Sequence, residues 1–183
     1  EIIDKILEID IREPFYPIDA SCQVPQLVKY TPEMCSAAGP GFTGRLRSND
    51  TRMAHIINFA FEVDVLEIHL NELYPVVDKI FICECEIIHG KSGKRKPNVW
   101  DKIKDQPRFS KFQDKVVHFL IKENEIGRSY RYNEWYVEQT VEEKRWKMFL
   151  EWNSQNKFFD EFDIVGFGDV DEIASTYNLN LIK

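Results

Sequence analysis

Three places along the chain put paired carboxylates at the end of an apolar run: Glu62 with Asp64, Glu84 with Glu86, and Asp169 with Asp171. The last pair lies in "DIVGFGDVDEI", Asp163 to Ile173, where the run finishes in Asp169-Val170-Asp171-Glu172. Carboxylates spaced in this way offer hard oxygen donors to a divalent cation, which in turn neutralises the phosphates of a bound ligand. A solvated turn is the bland alternative, and for Asp169-x-Asp171 in isolation it is the better one. A calcium-binding hand does not fit, because Ser175 to Lys183 supplies no bidentate acid.

Glu84 sits inside "FICECEII", an apolar run in which a carboxylate costs several kcal/mol unless it is paired or near water. A structural pair with Lys or Arg and a ligand contact are equally open for it. Lys91, Lys94, Arg95 and Lys96 form a basic loop that suits steering of a nucleotide diphosphate, although a solvated loop is the better bet. Arg145, on a helical stretch, is expected at the surface by the same kind of prior. No nucleophile and base stand together: His55, His69, His89 and His118 are scattered, and no Gly-rich phosphate loop occurs.

The elements that must position these groups alternate. "AHIINFAF" (Ala54 to Phe61) reads as a strand, and "DVLEIHLNELYPVV" follows as a helix with Asp64 as N-cap. "DKIFICECEII" (Asp78 to Ile88) and "DKVVHFLI" (Asp114 to Ile121) read as further strands. "NEWYVEQTVEEKRWKMFLEWNS" reads as a long amphipathic helix with Trp135, Val141, Trp146, Phe149 and Leu150 toward a core. The run before Asp169 is then a fourth, buried strand. Such alternation predicts an α/β fold with a largely parallel sheet, whose ligands sit at the carboxyl ends of the strands. All three acidic pairs then meet at one rim, where they repel unless a cation or a hydroxyl-rich ligand joins them.

Composition narrows the partners. With 183 residues, 43% of them hydrophobic and 13% aromatic, the chain can bury a sizeable core as one domain. A formal charge of -7, from 24 basic and 31 acidic residues, offers no general attraction to nucleic acid or anionic lipid. No apolar run is long enough for a membrane span, so membrane anchoring is expected only through a segment outside these residues. Residues 1–52 hold five of the eight prolines and read as an irregular lead-in or stem. Cys22 and Cys35 flank a Pro-containing loop and can close a disulfide in an oxidising compartment. Cys83 and Cys85, two apart on a strand, are expected as buried free thiols. Asn49-Asp50-Thr51 matches the N-glycosylation acceptor pattern.

Taken in order, "IINFAFEVDVLEIHLNELYPVVDKIFICECE", "GKRKP" and "DIVGFGDVDEI" resemble glycosyltransferase family 17, the bisecting-GlcNAc transferase family. Glu62, Asp64, Leu66 and Glu67 match its acidic opening, and "NELYPVVD" matches its helix segment with Asn71 in place of a histidine. Cys83-Glu84-Cys85 matches its second strand end, and Asp169 to Ile173 its acidic motif. The resemblance implies a GT-A-like, Rossmann-type nucleotide-sugar domain over residues 53–183, using UDP-GlcNAc as donor and an N-glycan as acceptor. It implies that Asp171 binds a divalent ion, usually manganese, with Asp169 reaching the ion through water or touching the ribose. It further implies that Glu62, Asp64 and Glu84 line the nucleotide pocket and that Arg145 pairs with an acid or the donor. A Golgi-lumen, type II membrane setting follows from the same likeness.

Two departures stand out, Gly168 before the motif and Ala174 in place of the usual proline, and neither removes a ligand. The family pattern places the acceptor-binding half and the general base beyond Lys183, so no catalytic base is assigned, and Glu172 is the only nearby carboxylate within the motif. Two alternatives stay open: a truncated or degenerate module that binds nucleotide-sugar or glycan without catalysis, and a related transferase with another donor sugar.

Overall fold

The computed structural model describes residues 51–88, 94–126 and 135–183. Cys22, Cys35, Asn49, His89 and Lys91 lie outside the described residues. The elements are β1 (Met53–Phe59), α1 (Val63–Leu73), β2 (Lys79–Cys85), α2 (Trp100–Ile103), α3 (Pro107–Ser110), β3 (Val116–Ile121), α4 (Glu123–Ile126), α5 (Tyr136–Asn156), β4 (Ile164–Asp169) and α6 (Thr176–Ile182). Among the described residues, no helix is long and apolar enough to cross a membrane.

The four strands form one sheet in the order β3-β2-β1-β4, and every pair is parallel. The chain is therefore α/β with a Rossmann-like sheet, fully rather than mostly parallel within these residues. β1 and β2 are central and apolar on both faces, as strands covered by helices on either side must be. The period of two sorts their side chains. Met53, Ile57, Phe59, Ile80 and Ile82 face a core built with Leu66, Leu70 and Leu73 of α1 and with Trp100, Ile103 and Phe109. Ala54, Ile56, Phe81, Cys83 and Cys85 face the opposite core, with Val137, Val141 and Phe149 of α5.

Three expectations need correcting. β4 is an edge strand and only half buried, with Phe167 44% exposed, because it pairs with β1 alone. On α5 the buried stripe is Val137, Val141, Arg145 and Phe149, whereas Trp135, Trp146 and Leu150 are exposed. A spacing of four keeps only one narrow line of the helix on the sheet, so Arg145 is enclosed and neighbouring aromatics are turned out. Glu62, not Asp64, occupies the N-cap of α1, which places Asp64 in the first turn.

Candidate active site at the carboxyl edge

The carboxyl ends of β1 and β4 are side by side, with Asn58 opposite Asp169 in the register. Beyond them opens a cleft of about 470 Å³, within the range of small-molecule sites. Phe59, Cys83, Cys85, Ile87 and Val141 supply apolar wall, and Glu62, Glu138, Asp169 and Asp171 supply carboxylates. Lys96 is the one cation among the described lining residues, and its ammonium is already bound 2.7 Å from Glu84 Oε1. Among the described residues the cleft thus carries four carboxylates and no unpaired cation, a balance that disfavours a bare anionic ligand.

The acidic motif is shaped by its own turn. Glu172 Oε2 accepts the Asp169 N–H at 3.0 Å, and the Glu172 N–H donates to the Asp169 carbonyl at 3.0 Å. Glu172, the sole carboxylate within the motif considered as a base, is thus engaged in closing the turn. The departure at Gly168 fits this geometry, because a Cβ there would stand 3.3 Å from Glu172 Oε2. Asp169 Oδ1 accepts from Asn58 Nδ2 at 3.1 Å, and the same amide donates to Glu142 Oε1 at 2.9 Å. Two carboxylate neighbours fix the orientation of the Asn58 amide and aim Asp169 at the cleft. Asp171 is exposed and makes no hydrogen bond or ion pair among the described residues.

Of the residues singled out from sequence, Glu62, Asp169 and Asp171 share the cleft. Glu62 accepts the Phe61 N–H at 2.9 Å through its carboxylate, which orders the turn between β1 and α1. Asp64, Glu84, Glu86 and Arg145 do not line it. The Asp64 side chain is 70% exposed and pairs with Arg108, which also binds Glu67 at 2.8 Å. Glu86 accepts the Glu123 N–H at 2.8 Å, capping α4.

Glu84 is completely buried and belongs to the opposite face of β2 from Cys83 and Cys85. Its oxygens accept from Lys96 Nζ at 2.7 Å and from the Val99 and Trp100 N–H groups at 2.9 Å each. His118 Nε2 stands 3.0 Å from Glu84 Oε2, close enough for an ion pair but off the line of a good hydrogen bond. Burial alone would raise the Glu84 pKa, but His118, Lys96 and the Val99 N–H together hold it below the usual carboxylate range. The structural-pair alternative is what the geometry contains. The basic loop divides accordingly: Lys96 is buried against Glu84, Arg95 pairs with Glu123, and Lys94 is exposed.

Arg145 pairs with Glu142 one turn earlier and lies 5.3 Å over the Phe167 ring. Its Nε and Nη1 are buried without a hydrogen-bond partner among the described residues. Cys83 and Cys85 are free and buried, as expected, and burial pushes the Cys83 thiol up to about 12, which keeps it protonated at neutral pH. Sequence reasoning missed Asn58 and Glu138. Asn58 was visible as a polar residue near the end of "HIINFAF", but Glu138 carried no signal beyond its place on a charged helix.

Among the described residues, no group of three or more His, Cys, Asp or Glu side chains is close enough to cage a metal. Asp169 and Asp171 still fit a hard divalent ion, because such ions are commonly held by one or two carboxylates together with substrate phosphates. An all-parallel sheet with an acid-lipped cleft at its carboxyl edge defines a Rossmann-like ligand-binding domain. The family model described as glycosyltransferase family 17 matches residues 25–183, and the chain belongs to that family. It is thus placed among glycosyltransferases, whose general partners are a nucleotide-sugar donor and a glycan acceptor. No curated protein and no solved structure matches the chain.

Proposed function

We propose that the cleft binds UDP-GlcNAc together with manganese and that the protein transfers GlcNAc, with inversion, to the β-linked mannose of an N-glycan core. The observation that carries this reading is the pair of cleft-facing carboxylates, Asp169 and Asp171, at the joined ends of β1 and β4 in a family 17 chain. Asp171, without a hydrogen-bond or ion-pair partner among the described residues, is the direct ion ligand, and Asp169, steadied by Asn58, is the second. A divalent ion supplies Lewis-acid stabilisation of the charge that grows on the departing diphosphate. Glu62 flanks the nucleotide, and the apolar wall of Phe59, Cys83 and Cys85 excludes water from it. Golgi-lumen residence with an anchor outside these residues belongs to the same proposal.

A second reading, a nucleotide-sugar or glycan-binding module without catalysis, draws on the engagement of Glu172 in its turn. A transfer assay over a panel of nucleotide sugars, with and without chelator, separates the two. Turnover of UDP-GlcNAc that stops with chelator supports the first, and metal-independent binding without turnover supports the second. Preferential turnover of a different nucleotide sugar identifies a related transferase.

A further inference from the structure

The buried stripe of α1 runs Val63, Leu66, His69, Leu70 and Leu73, apolar except for one imidazole. His69 is fully buried, at 0% exposure, in a place where leucine or valine would satisfy the packing. A buried polar ring costs free energy unless it makes a hydrogen bond. His69 makes one: its Nδ1 lies 2.9 Å from the carbonyl oxygen of Val170. That carbonyl can only accept, so Nδ1 carries the proton and the bond runs from helix to turn. Val170 sits between Asp169 and Asp171, and ladder pairing with β1 ends at Asp169, so no strand partner is available to its carbonyl there. The Val170 side chain is itself buried in the α1-side core.

The bond is supported from below. His55 of β1 meets His69 edge-on, with ring centroids 5.3 Å apart. Opposite His55 in the register is Gly166, where a Cβ would lie 2.6 Å from His55 Nδ1. The bare backbone at Gly166 therefore gives the His55 ring the room in which it backs His69. The acidic motif is thus gripped twice, by Asn58 at the Asp169 carboxylate and by His69 at the intervening backbone.

We infer that His69 is a positioning residue that sets the orientation of the Asp169 and Asp171 carboxylates by holding the Val170 carbonyl. This inference rests on the reading of those two carboxylates as the ion-holding pair. Residues that orient metal ligands from behind commonly change metal affinity by about 10- to 100-fold when altered.

The test compares His69→Leu, which removes the donor, with His69→Asn, which places an amide N–H near the position of Nδ1. Amide hydrogen exchange reads the turn, and Mn(II) titration in the presence of UDP, followed by electron paramagnetic resonance, reads the ion site. The expected result is exchange at Asp169 and Glu172 about ten-fold faster in His69→Leu, with β2 amides unchanged. The Mn(II) dissociation constant rises about ten-fold or more in that variant, and His69→Asn recovers most of the loss in both readouts. Unchanged turn exchange in His69→Leu overturns the inference, as does a well-folded His69→Asn that behaves like His69→Leu. If the unmodified protein binds no Mn(II) with UDP, the functional proposal fails, and the exchange comparison alone then decides whether His69 holds the turn.

Discussion

Glu84 and Asp169 lie at the same carboxyl edge of the sheet, on strands either side of β1, yet they do opposite work. The Glu84 carboxylate is fully enclosed and surrounded by Lys96, two backbone N–H groups and His118. Asp169 and Asp171 open to the cleft; Asn58 donates to Asp169, and neither carboxylate pairs with a cation among the described residues. A carboxylate that has collected its donors from the protein is structural, and one that has not is ready for a ligand. Strand parity decides which is which. Cys83 and Cys85 face the cleft side of β2, so Glu84 between them must face away, into the core capped by α2.

The largest effect that can break this contrast is on stability at Glu84. Removing one partner of a buried ion pair leaves the other uncompensated, so Glu84→Ala should cost about 3–5 kcal/mol in a urea unfolding experiment. A loss comparable to that of a surface substitution would show that the site is not structural.

Acid separates the two regions by pH window. Burial, reinforced by the neighbouring His69 ring and the Arg145 guanidinium, lowers the His55 pKa from 6.5 to about 4. Between those values the unfolded chain binds a proton that the folded chain resists, so stability falls as pH drops from 6.5 toward 4, by about 3 kcal/mol in all. Replacing His55 with leucine should remove its share of that slope and leave the share of His69, whose pKa burial also lowers. Glu84, whose pKa is depressed, contributes stability that is present at neutral pH and lost only as pH falls through its lowered value, below the ordinary carboxylate range. Unfolding midpoints measured across pH for the unmodified and His55→Leu proteins check both signs.

The smallest stability effect belongs to the cleft carboxylate. Asp171→Ala should change unfolding free energy by no more than about 0.5 kcal/mol, as for surface sites without partners. Stability loss as large as that at Glu84 would erase the distinction between the two strand ends.

Much of this was legible in the residues. The alternation of apolar runs with "DVLEIHLNELYPVV" and the long α5 segment marked an α/β fold, because buried parallel strands and amphipathic helices leave different periods. The acidic motif was legible by position, since ligands gather at carboxyl ends of parallel strands. The order of strands was not: the apolar run of β4 reads as a buried strand, whereas the strand lies at the edge with Phe167 exposed. Period two was available for Glu84, but its donors arrive from Lys96, Val99 and Trp100 through a loop whose path no local pattern encodes. Arg145 was expected outside because charge usually is; only the four-residue spacing of Val137, Val141 and Phe149 around it hinted otherwise. Asn58 and His69 act on the acidic motif through hydrogen bonds to residues more than a hundred positions away, which sequence spacing cannot express.

On the proposed function, Asp169 and Asp171 hold a metal-complexed nucleotide sugar. Calorimetric titration of UDP-GlcNAc, with and without manganese, into the unmodified protein and Asp171→Ala tests it most directly. Binding that requires manganese and is lost in the folded variant is the expected result. Binding that ignores manganese and survives Asp171→Ala would contradict it.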